Sequence, residues 1–217
     1  GVVGYRPLNL GFEDSASLYN YVQNMQRPKL RVGVLAFPHI SNFTDFEPLV
    51  LDSEVEVSFL RSSSGALAYD VLILPGSKRV VEDLRWLRAM GFLEVLAHFS
   101  GTVVGICGGY EMLHERILDP HLLESDTKEE QGLGIISGEV TFAREKVLAK
   151  GAYSLFGLDI MGYEIHYARA KEIAVKQEKL YATFIHGLFD NDNFRALLFR
   201  ELDESYEGYC FLERKKE

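Results

Sequence analysis

The sequence predicts an α/β fold, a mostly parallel sheet with helices on both faces. Three observations carry this. Short β-branched runs end abruptly at Pro or Gly, stretches with apolar residues at helical spacing separate them, and the glycine-rich segments fall where the runs end. The strand runs are "LRVGVLAF" (30–37), "YDVLILPG" (69–76) and "TVVGIC" (102–107), each reading as a strand buried on both faces. Between them, "FEPLVLD" reads as a short helix. "VVEDLRWLRAMGFLEVLAHF" reads as a longer one through Leu84, Leu87, Phe92, Leu93 and Leu96, broken or kinked at Gly91. The later segments "GLGIISGEVTFA", "MGYEIHYARA" and "LYATFIHGLFD" are richer in strand and turn signals, and "NFRALLFREL" is a closing helix. The expected organisation is a linker over 1–29, one domain over 30–202 and a polar tail over 203–217. The start at Gly rather than Met suggests that sequence is missing upstream.

Composition narrows the class. A chain of 217 residues, 47% hydrophobic, suffices for one sizeable core. The formal charge of −9 is scattered rather than gathered in a tail, which removes most of the electrostatic basis for a nucleic-acid partner. No apolar run reaches the roughly 18 residues of a membrane span, and the first residues lack the pattern of a secretion signal. The expectation is a cytoplasmic protein with no membrane partner. Two cysteines about a hundred positions apart form neither a disulfide framework nor a four-ligand zinc site, so each is a lone thiol. Cys210 lies in the polar tail. His114, Asp119 and His121 form only a loose group without a recognised metal-ligand spacing, and no metal is expected.

The chemistry concentrates at "TVVGICGGYEML" (102–113). A sharp strand-to-helix turn needs small neighbours to lift a nucleophile above the sheet, and Gly105, Gly108 and Gly109 flank Cys107. Backbone N–H groups at the start of the following helix would stabilise a thiolate and lower its pKa from the free value of about 8.5. The competing reading is inert packing, since free cysteine is among the most buried residue types. A thiolate also needs an acid/base partner. Of six histidines, His39, His98, His114 and His121 read as surface or capping residues. His166 in "GYEIHYA" and His186 in "TFIHGLFD" each follow an apolar strand signal, and His186 precedes Gly187 in a tight turn, which suits a ring reaching across a cleft.

"ISNFTDFEPL", "DVLILPGSKRVVEDLRWLR", "GICGGYEML", "GYEIH" and "HGLFDNDNFR" occur in the order, and with the residues, of the glutamine amidotransferase domain of cobyric acid synthases, which this chain resembles over about residues 30–200. The resemblance implies a flavodoxin-like class I glutamine amidotransferase fold. It implies that Cys107 attacks the side-chain amide of glutamine, with His186 as acid/base and backbone N–H groups near Gly76 and Gly108 as the oxyanion hole. Glu111, Tyr163, Glu164 and His166 would bind glutamine. The ammonia would serve an ATP-dependent amidation of corrin carboxylates on a synthetase domain carrying ATP and magnesium. That domain lies upstream or on another chain, because no phosphate-cradling G-x-x-x-x-G-K-[ST] run exists here.

Three departures from the wider pattern bear on the site. Leu188 stands where many class I glutaminases have a glutamate, so His186 would be oriented by a backbone carbonyl or another carboxylate. Glu111 replaces a family glutamine and would either face the pocket or turn outward to cap its helix. Ala168 replaces a glycine. Two other classes stay open: a cysteine hydrolase of the α/β-hydrolase type, using Asp159 as its acid, and a glutaminase-like binding module without turnover.

Overall fold

The computed structural model describes residues 28–214. The first half alternates strand and helix: β1 (Leu30–Leu35), α1 (Glu47–Val50), β2 (Val55–Leu60), β3 (Val71–Leu74), α2 (Val80–Ala89), α3 (Phe92–His98), β4 (Thr102–Ile106) and α4 (Gly108–Leu113). A strand-rich region follows with β5 (His114–Leu118), β6 (Glu129–Gln131), β7 (Ile136–Leu155), β8 (Leu158–Arg169), β9 (Ala174–Gln177) and β10 (Leu180–Thr183). Two helices close the chain, α5 (Asp192–Arg200) and α6 (Phe211–Arg214).

Six strands form the main sheet in the order β2-β1-β3-β4-β10-β9. All neighbours are parallel except β9, which runs antiparallel at the edge. All four residues of β3 and of β10 are buried. This is why central parallel strands read as unbroken apolar runs, each large aliphatic contributing about 1.5–3 kcal/mol on burial. β2 lies outside the predicted strands. It is an edge strand, "VEVSFL", with only Val55 and Val57 buried, so half of its pattern is polar.

Gly91 separates α2 from α3 with φ +79, as its position in the apolar pattern implies. Leu93 was expected on the buried face but is exposed; the break at Gly91 resets the helical phase, so Phe92 and Val95 take the inward positions. His114, expected at the surface, is buried at the head of β5, its Nδ1 3.0 Å from the Tyr110 carbonyl. β5 to β8 form a second sheet in the order β6-β5-β7-β8, dominated by the long antiparallel β7–β8 hairpin with a register shift between Phe142 and Val147. The predicted linker over 1–29 falls almost wholly outside the described residues. Beyond α5, Tyr206 and Phe211 are buried, and the Tyr206 hydroxyl donates to Asp52 at 2.5 Å.

Candidate active site

The loops after β1, β3, β4 and β10 leave the same edge of the main sheet, the carboxyl end of its parallel strands, where such folds gather functional groups. Cys107 sits between β4 and α4 with φ 50 and ψ −109, a backbone conformation that costs a non-glycine residue on the order of 1–3 kcal/mol. The packing beneath enforces it: a Cβ at Gly109 would lie 2.0 Å from the Leu74 carbonyl oxygen, so only glycine lets α4 start this close to β3. The thiol is 6% exposed. Its pKa is pushed well up, first by burial and then by Glu111, the opposite of the lowering expected from the helix start. α4 has only six residues, and its N-terminal donors do not offset desolvation.

Glu111 accounts for the second cause. It lies in the first turn of α4 and is 2% exposed, so it does not turn outward. Burial pushes its own carboxyl well up, and Oε2 has no hydrogen-bond partner. Burial thus favours the uncharged acid, which can donate a hydrogen bond where a carboxylate cannot.

His186 is fully buried in the loop after β10. Its Nδ1 lies 2.7 Å from Oδ2 of Asp45, and Oδ1 of the same carboxylate accepts from the Gly187 N–H at 2.8 Å. Asp45 belongs to the short 3-10 turn Phe43–Phe46 in "SNFTDF" and is the carboxylate that orients the ring. Asp159, the acid of the hydrolase alternative, is exposed on β8. With Nδ1 donating to Asp45, Nε2 is left as the acceptor, and Nδ2 of Asn42 lies 2.8 Å from it. Among the described residues no hydrogen bond joins the thiol to His186, but both line one cleft of about 260 Å³ with Ser41, Asn42, Ser77, Lys78, Glu124, Lys146, Ile165, His166 and Tyr167.

β8 holds the other face of His186. Tyr163 and His186 exchange backbone hydrogen bonds, and their rings stack at 5.1 Å. Gly162 allows this approach, since a Cβ there would meet the His186 carbonyl oxygen at 2.5 Å. Tyr163 thus packs on the imidazole. Nδ1 of His166 contacts the Ala168 carbonyl at 2.9 Å, Nε2 meets Glu164 at 3.1 Å, and its ring stacks on Phe184. Burial lowers the pKa of His166, opposed by Glu164.

The "PGSK" turn is held from both sides. Ser41 N–H donates to the Gly76 carbonyl and Lys78 N–H to the His39 carbonyl, both at 2.9 Å. The buried Asp83 accepts from the Ser77 hydroxyl at 2.5 Å and contacts Nδ1 of His39 at 3.0 Å. Ser77 faces the start of α4 closely enough that a Cβ on Gly108 would lie 2.8 Å from its backbone nitrogen. Cys107 and Gly108 of one turn, Gly76 of another and His186 of a third therefore come into one place. Sequence reasoning missed Asp45, Asn42, Ser77, Glu124, Lys146 and Tyr167. For Asp45 and Asn42 the signal was present, as a polar "SNFTDF" loop at a strand's carboxyl end.

The profile of the CobB/CobQ-like glutamine amidotransferase domain matches residues 31–194. A cobyric acid synthase of Acinetobacter baylyi is 43% identical over 97% of this chain and 46% of its own length, and one of Listeria welshimeri is 36% identical over 93% and 45%. The chain thus spans about half the length of these relatives. Among solved structures, one described as a glutamine amidotransferase superposes with a TM-score of 0.59 at 19% identity, covering 79% of this chain and 97% of that one. A Thermoplasma acidophilum protein described as part of a GMP synthase gives 0.52 at 17%, covering 83% and 100%. These two carry the fold alone. Among the described residues no helix is long and apolar enough to cross a membrane. The chain belongs to the CobB/CobQ-like glutamine amidotransferase domain family.

Proposed function

We propose that this chain is the glutamine-hydrolysing part of a cobyric acid synthase, acting through a Cys107 thioester. The observation that carries the reading is the convergence of a strained Cys107 elbow and an Asp45-oriented His186 on one cleft. The thiol is held neutral before substrate enters, so its proton passes to Nε2 of His186 as sulfur attacks the amide carbon; Asn42 must first yield that nitrogen. Backbone N–H groups of Ser77, beside Gly76, and of Gly108 receive the oxyanion. The amide nitrogen leaves as ammonia with the proton from His186. Water, deprotonated by the same nitrogen, then cleaves the thioester to glutamate. Burial raises the Glu111 carboxyl and so favours its uncharged form, which lessens the charge that opposes thiolate formation.

The ammonia would serve ATP- and magnesium-dependent amidation of corrin side-chain carboxylates on a synthetase domain in the cytoplasm; the relatives named cobyric acid synthase support the synthetase part of this reading. A diazo-ketone analogue of glutamine should label Cys107 and not Cys210, because it is read by the cleft before it alkylates the sulfur. Mass spectrometry of the labelled chain decides this. Equal labelling of both thiols, or no ammonia release from glutamine by the wild-type chain, would remove the assignment.

A further inference from the structure

Glu124 is a cleft residue whose chemistry the reaction above leaves unused. Its backbone is fixed by Asp119, whose carboxylate accepts from the N–H groups of Leu123 at 2.8 Å and of Glu124 and Ser125 at 2.9 Å, and from the Ser125 hydroxyl at 3.0 Å. Four donors on one carboxylate make a rigid turn of 119–125, and that turn brings the Glu124 side chain to the cleft that holds Cys107 and His186. The side chain is half-buried, and among the described residues its carboxylate has neither a hydrogen-bond nor an ion-pair partner. Burial, with the charge of Asp119, pushes it up to about 7, and only Lys146 opposes. Lys146 stands at the register shift of β7 with Nζ over the Tyr167 ring.

A pre-positioned carboxylate without a partner, partly removed from water, is unfavourable until a cation or donor arrives. Glutamine brings one. When its amide is at Cys107, its α-ammonium and α-carboxylate lie at the far end of its side chain, and the cleft lining offers one carboxylate, Glu124, and two ammonium groups, Lys78 and Lys146. We infer that Glu124 is a specificity-determining residue that receives the α-ammonium of the substrate, with Lys146 facing the α-carboxylate. This rests on the glutaminase reading and adds to it the recognition of the amino-acid end.

The test compares ammonia release from L-glutamine and from 5-amino-5-oxopentanoate, which lacks the α-amino group, by the wild-type chain, Glu124→Gln and Glu124→Asp. Wild type should prefer glutamine. Glu124→Gln should raise KM for glutamine about 10- to 100-fold with kcat within about threefold and leave the desamino substrate nearly unchanged, so that the preference collapses. Glu124→Asp, which keeps the charge, should recover part of it. If the desamino compound is too poor a substrate for every form, the KM-against-kcat split for glutamine decides. A thermal midpoint no lower than that of wild type separates the effect from misfolding. A Glu124→Gln chain with unaltered KM, or with both substrates impaired equally, would overturn the inference while leaving the glutaminase intact. No ammonia from glutamine with wild type would overturn the reading beneath it.

Discussion

Asp45 uses both carboxylate oxygens on adjacent residues, Oδ2 on Nδ1 of His186 and Oδ1 on the Gly187 N–H. This fixes which ring nitrogen carries the proton. In Asp45→Asn, keeping the amide oxygen on Gly187 turns the NH2 group toward Nδ1, which must then accept. The imidazole changes to the tautomer with its proton on Nε2, and that nitrogen can no longer take the thiol proton. We expect kcat for glutamine hydrolysis to fall by roughly two to four orders of magnitude with KM nearly unchanged. Steady-state kinetics test this, and a kcat within a few-fold of wild type would mean that Asp45 is only structural. Leu188, where other class I glutaminases carry a glutamate, is then no deficiency, because the ring is held from the opposite end of the chain.

At the scale of elements, the edge that carries the candidate site depends on a pin between two loops. Asp83, inside the first turn of α2, ties the Ser77 hydroxyl of the "PGSK" turn to His39 in the loop after β1. Asp83→Ala leaves the Ser77 hydroxyl and the His39 ring without their buried acceptor, which should cost about 1–3 kcal/mol. It should also lower kcat more than affinity, because the Ser77 N–H loses its aim. Denaturant melts with parallel kinetics check both, and full stability with full turnover would show that the backbone bonds alone hold the turn. Sequence legibility follows the same physics. β1, β3 and β4 were legible because central parallel strands are apolar throughout. The elbow was legible because Gly109 admits no substituent. β5, "HERIL", was not, since only His114 and Ile117 of it are buried. The "SNFTDF" loop was legible as a polar loop at a strand's carboxyl end, but the pairing of its Asp45 with His186 was not: 141 positions separate them, and only the sheet order brings their loops together.

Over the whole molecule, the buried acids set how stability depends on pH. Four carboxyls, Glu111, Glu124, Asp83 and Asp52, are raised above their free values, each first by burial. Such a group holds its proton longer in the folded chain than in the unfolded one. Its contribution is fully present below about pH 4 and is lost as pH rises toward the folded value. His114 and His166 run the other way: burial lowers them, and their contribution is lost as pH falls below about 6.5. Between about pH 5 and 6.5 the two sets oppose each other. Above that the histidines are neutral in both states and the raised acids act alone, Glu124 until about 7. The thermal midpoint should therefore decline from about pH 6.5 upward. Glu111→Gln supplies an amide of the same shape that cannot ionise. The variant should match wild type near pH 4 and exceed it increasingly at higher pH, by at most about 1.4 kcal/mol per pH unit. Melting both chains across this range at fixed ionic strength tests the argument. If the two midpoints stay parallel, Glu111 is ionised in the folded protein, and the charge behind Cys107 has to be balanced by something other than its own proton.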